Sequence, residues 1–177
     1  MVKMKFSENN EEMERKYPFE KLTKDLNHTS NFVLSYYDYI NASRDYGTGD
    51  YLSMMEAHVL TDIVDNPGIT VTELAKVWDR TTSAISQTVR KLMKKDYVYR
   101  VNSKTDAKIF YLHPNDSAVE FAIAHKEFDK QGMYRTRYNL LKKCSEEDIE
   151  IFYKVMVEYT KIIKDHFEQE QKARMEK

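Results

Sequence analysis

Thr82, Ser83, Ser86, Gln87 and Arg90 have side chains suited to a specific chemistry. At helical spacing they fall on one face, away from Ala84, Ile85, Val89 and Leu92. Hydroxyls and a carboxamide both donate and accept hydrogen bonds, as polar heterocycle edges require, and a guanidinium can also grip an oxyanion. Serine and threonine are mediocre helix formers, so the cluster costs helicity without an evident packing return. Their alternative role is simply to fill exposed positions. From Thr70 to His113 nine Lys and Arg face four Asp and Glu, a net of +5 that leaves −6 for the remaining residues. The whole-chain charge of −1, from 28 basic and 29 acidic residues, therefore conceals a basic segment on an acidic remainder. Contact with a polyanion needs such a patch, although a basic run can also be just a solvated helix face.

Those residues need a scaffold, and its punctuation is legible. Glycine and proline number four and three in 177 residues, a scarcity that predicts a mainly helical chain. Apolar residues at Leu22, Leu26, Val33, Tyr36, Tyr37 and Ile40 predict a helix from about Leu22 to Tyr46, ended by Gly47-Thr48-Gly49. Ser53-Met-Met-Glu56 has the form of a capping box opening a helix that stops before Pro67-Gly68. Thr70-Val-Thr-Glu73 is a second box, opening a short helix through Trp78. Thr81 can cap a third helix running to about Lys95. Tyr97–Val101 and Lys108–Leu112 then alternate around the polar tip Asn102–Ala107, which reads as the chain's only β-hairpin. A long helix follows from Asn115 to about Lys143. Ser145-Glu-Glu-Asp148 starts another, whose Ile149, Phe152, Met156, Tyr159 and Ile163 form a seam for a partner helix, with fraying expected after Phe167.

Helix, short helix, helix and hairpin, in that order, is the pattern of a winged helix-turn-helix. Residues Ile69 to Pro114 resemble the MarR family of bacterial transcriptional regulators, and the likeness extends more weakly over Leu22 to Phe167. Glu73-Leu74-Ala75 resembles the family's first helix of the motif, Thr81 to Leu92 its recognition helix, and Lys94 to Arg100 the helix exit and first wing strand. The resemblance implies a homodimer whose terminal helices interdigitate, carrying two winged domains on a pseudo-palindromic operator. Such a protein is usually a repressor and often released by a small ligand. This chain departs from the family in three places. Arg80 stands where the turn usually has an apolar residue, and Asp96 where the helix exit usually has glycine. Asp106-Ala-Lys108 offers lysine where the wing tip usually carries arginine. Aspartate tolerates the left-handed backbone better than most residues, so the exit turn should survive.

Other chemistries find little footing. No Gly-x-Ser-x-Gly, phosphate-cradling glycine loop or His-Glu-x-x-His occurs, so an enzyme is not expected. The five histidines are not paired at metal-ligand spacing; neither a metal nor a cofactor is expected. The one cysteine, Cys144, rules out an internal disulfide framework. No apolar run approaches the roughly 20 residues of a spanning helix, and the N-terminus lacks an apolar leader, so a cytoplasmic location is expected.

The fold expected is mainly α with a small two- or three-stranded β wing. It comprises an N-terminal arm (1–20), a helical dimerisation scaffold (21–50 and 115–177) and a winged helix-turn-helix domain (51–114). The expected partners are a double-stranded DNA operator, a second copy of the chain and a small aromatic or anionic effector, with no membrane. Expected DNA contacts are Arg80, Thr81, Thr82, Ser83, Ser86, Gln87, Arg90, Lys91, Lys104 and Lys108. Tyr36, Tyr39 and His58 are candidates for an effector site, although tyrosines also suit a helical core. A winged protein-interaction module that has lost operator reading is the alternative, supported by Arg80 and Lys108.

Overall fold

A computed structural model describes residues 10–104, 106 and 109–175. The Lys108 expectation, and those for Thr105 and Ala107 at the wing tip and for residues 1–9 of the arm, lie outside the described residues. Among the described residues seven helices and four strands follow one another: α1 (Asn10–Lys16), α2 (Phe19–Asn41), β1 (Arg44–Asp45), β2 (Tyr51–Leu52), α3 (Met54–Asp65), α4 (Val71–Val77), α5 (Thr82–Lys94), β3 (Val98–Asn102), β4 (Phe110–Pro114), α6 (Asp116–Leu141) and α7 (Glu146–Met175). They fall into two compact units, Met1–His125 and Lys126–Lys177.

Local chemistry places the helix starts of the first unit. Ser53 and Glu56 form a reciprocal capping box at α3, and Thr70 and Glu73 form another at α4. The Thr81 hydroxyl accepts the Ala84 N–H at 3.2 Å to open α5. The apolar faces so aligned close on one another: Leu52, Leu60, Ile63, Leu74, Leu92 and Phe121 are fully excluded from solvent. Each such side chain contributes about 1.5–3 kcal/mol relative to exposure. β3 and β4 pair antiparallel from Val98↔Pro114 to Asn102↔Phe110. Gly68 N–H donates to the Leu112 carbonyl at 2.7 Å and Leu112 N–H to the Ile69 carbonyl at 3.0 Å, so a short segment flanks β4 without becoming a third strand.

The structure corrects four sequence expectations. The helix expected to reach Tyr46 ends at Asn41, because Ala42 turns extended and one Asp45 carboxylate oxygen accepts the N–H groups of Gly47, Thr48 and Gly49. Those three bonds hold the Asp45 carboxyl below its ordinary range, the Gly47 N–H foremost. The turn joins β1 to β2, so the wing is not the only β-hairpin. The wing strands begin at Val98 and Phe110, slightly later than expected. The helix expected to fray after Phe167 continues to Met175.

In the second unit, the Ser145 N–H and hydroxyl meet the Asp148 carboxylate at 2.8 and 2.7 Å, and Asp148 N–H returns to the hydroxyl at 3.1 Å. This box opens α7, and Arg137 of α6 pairs with its Glu146 and Glu150. Along α7 only Ile149 is buried. Ile151, Phe152, Val155, Tyr159, Ile162 and Ile163 are exposed. Among the described residues no helix is long and apolar enough to cross a membrane.

Candidate nucleic-acid interface

The two helices of the motif are fixed before any surface chemistry is considered. Trp78 ends α4, and its indole N–H donates to the Asp62 carboxylate of α3 at 2.7 Å. Asp79 then takes a left-handed conformation, φ 49°, and Arg80 N–H returns to the Ala75 carbonyl at 3.0 Å. The pair makes a sharp, closed turn, and Arg80 stands exposed on it. At the far end of α5, Asp96 has φ 58°, the left-handed exit expected of the residue replacing glycine. Asn115 secures it, donating to the Asp96 carbonyl at 2.6 Å and to its carboxylate at 3.1 Å.

Between these fixed ends α5 buries Ile85, Val89 and Leu92. Thr82, Ser83, Gln87 and Arg90 are exposed and Ser86 is half-buried, so the structure brings the five residues onto one accessible face. Ala84, expected on the inner face, is exposed instead, lying about 100° round the helix from Ile85 and outside the stripe of Ile85, Val89 and Leu92. The Thr81 hydroxyl accepts the cap bond, although its own proton is still available as a donor.

Lys91 differs from its neighbours. Its ammonium lies 2.9 Å from the Glu56 carboxylate, a group only 11% exposed. Burial opposes ionisation of Glu56, but the Ser53 N–H and the Lys91 ammonium outweigh it and hold the carboxyl below its ordinary 4.5. Glu56 therefore caps α3 and tethers α5 at once. Arg90 carries no such counter-charge among the described residues. Lys104 is exposed near the wing tip.

The effector candidates divide. Phe32, Tyr36 and Tyr39 form an exposed stack along α2, with ring centroids 6.0 and 6.2 Å apart, and the Arg44 guanidinium lies 4.2 Å over the Tyr39 ring. His58 belongs to another cluster. Its ring meets that of His125 edge-on at 4.7 Å and lies 5.8 Å from Trp78. His125 is 1% exposed, flanked by Tyr46 and Phe121, with Nδ1 2.9 Å from the Thr61 hydroxyl. The sequence did not pair these histidines, because α3 and α6 meet only in the folded chain. The Tyr97 hydroxyl likewise donates to Asp50; burial, followed by that carboxylate, raises its pKa well above 10.

Residues 52–110 match the model of the MarR family. They span α3, both helices of the motif and most of the wing. Over this segment the chain is similar to the MarR family. A curated relative, the uncharacterized HTH-type transcriptional regulator YhjH of Bacillus subtilis (strain 168), is 25% identical over 105 residues, and the match spans 59% of each chain. Two solved structures are similar to this chain in fold. ZitR of Lactococcus lactis in complex with DNA has a TM-score of 0.62 and 14% identity, over 80% of this chain and 97% of that one. FabT of Streptococcus pneumoniae in complex with DNA has a TM-score of 0.55 and 22% identity, over 83% and 98%. Within the matched segment the polar face of α5 and much of the hairpin are exposed.

Proposed function

We propose that the chain is a sequence-specific DNA-binding transcriptional regulator, a homodimer acting as a ligand-responsive repressor on a pseudo-palindromic operator. The observation that carries this reading is α5: its apolar stripe is consumed by the core, while Thr82, Ser83, Ser86, Gln87 and Arg90 stand together on the opposite face. A helix of this kind fits a major groove about 12 Å wide. The net +5 segment supplies the attraction to phosphate. Two copies related by a dyad read half-sites about one helical turn apart. The exposed apolar residues of α2 and α7 support the second copy.

The test is selection of a duplex from a randomised pool, followed by a salt titration. Selective binding that weakens steeply with salt is expected. Failure to enrich any sequence overturns operator reading and favours a winged protein-interaction module. Arg90→Ala should weaken binding about tenfold or more, and discrimination falls with it if Arg90 meets a base. For the effector, the Phe32–Tyr36–Tyr39 stack and Arg44 favour a planar aromatic anion. The His58–His125 pair favours a second reading, a divalent metal. Salicylate and zinc, each added to the binding assay, separate them. Tyr39→Ala should abolish a response to the first, and His125→Ala a response to the second.

A further inference from the structure

The wing's tip sequence offers lysines, but the folded hairpin carries a guanidinium that sequence reading left out of the contact set. Arg100 lies in β3 and is exposed, with its guanidinium carbon 4.6 Å over the Phe110 ring. In the strand register Arg100 opposes Leu112, whereas Phe110 opposes Asn102. The stack is therefore diagonal, and the Arg100 side chain is drawn along the hairpin toward its tip by about 7 Å, two residues of strand. Among the described residues no carboxylate pairs with Arg100. On the opposite face Tyr99 stacks on His113 at 5.5 Å with an interplanar angle of 23°, which stiffens the ribbon behind it.

A lysine at the tip is a hydrated point charge on a flexible stem, and must be ordered on binding. A guanidinium held over a ring has already lost part of that freedom, and its N–H donors can still meet an oxyanion. We infer that Arg100, stretched over Phe110, is the wing's DNA-contacting cation, with Phe110 as its positioning residue. This rests on the proposed operator reading, and extends it by a contact outside α5 and outside the wing tip. The alternative is a stack that only stabilises the hairpin; the two differ in salt dependence, since only a cation meeting phosphate releases counterions.

The experiment uses the full chain and a duplex that the wild type selects from a randomised pool, with affinity measured against salt. Arg100→Gln should weaken binding tenfold or more and reduce the slope of log K against log salt by about 0.9. Phe110→Leu should weaken it several-fold with the slope retained, because the charge remains but is no longer pre-positioned. Arg100→Lys should likewise keep the slope without restoring affinity. Wild-type affinity and slope in Arg100→Gln overturn the inference alone. If that variant fails to fold, wild-type affinity in Arg100→Lys overturns it instead. A wild type that enriches no duplex overturns this inference and the operator reading together.

Discussion

Helices α5 and α7 bury their apolar residues to very different extents. In α5, Ile85, Val89 and Leu92 are between 0% and 4% exposed, and apart from Ala84 the exposed residues are polar. In α7, thirty residues long, Ile149 alone is buried, and Val155 and Ile163 are more than half exposed. A helix of the first kind is completed by its own chain, and its surface is free to carry contacts. One of the second kind leaves a row of apolar side chains exposed, a surface feature associated with interaction sites. Under the proposed function exposure has opposite roles on the two helices, recognition on α5 and association on α7.

The comparison breaks most visibly at Leu92. Leu92→Ala leaves a cavity beneath α5 and should cost about 2–5 kcal/mol in denaturant unfolding. If the loss is below ~1 kcal/mol, α5 is not closed by its own core. Val155→Glu combined with Ile162→Glu should weaken self-association about tenfold or more by light scattering, with helix content by circular dichroism unchanged. Unaltered association would remove α7 from the interface. At the α5 exit, Asp96→Val should cost about 1–2 kcal/mol because a β-branched residue resists the left-handed backbone. Asp96→Gly should stay within ~1 kcal/mol of the wild type, and a larger loss would mean that the Asn115 bond rather than the backbone fixes the turn.

The smallest effect concerns Glu56. Its folded-state pKa lies below 4.5, so the stability it adds is present above that pH and is lost as pH falls through the folded value. The stability gap between wild type and Glu56→Gln should therefore be constant near neutrality and close in acid. A gap that persists at pH 3 would show that Glu56 acts through packing and not through its charge.

Local chemistry was legible in the sequence. Ser53 with Glu56, Thr70 with Glu73, and Thr81 are caps whose partners lie three residues away, so spacing alone identifies them. The exit at Asp96 followed from the few residues that tolerate positive φ. The Asp45 turn was also readable, since aspartate commonly accepts backbone N–H groups just downstream, but the apolar period across Tyr46 overrode it. Trp78 with Asp62, Lys91 with Glu56, His58 with His125 and Arg100 over Phe110 had no such signal. Each joins separate elements, and only the packed core or strand register decides which groups meet.

The bond from Trp78 to Asp62 has an optical consequence. The chain contains one tryptophan, so all indole emission originates at the corner where α4 turns into α5. Its hydrogen bond and the nearby His58 ring make that emission sensitive to small displacements of the turn. Movement of the motif during a DNA, zinc or salicylate titration can thus be followed in the unlabelled protein, by a fluorophore already fixed at the hinge of interest.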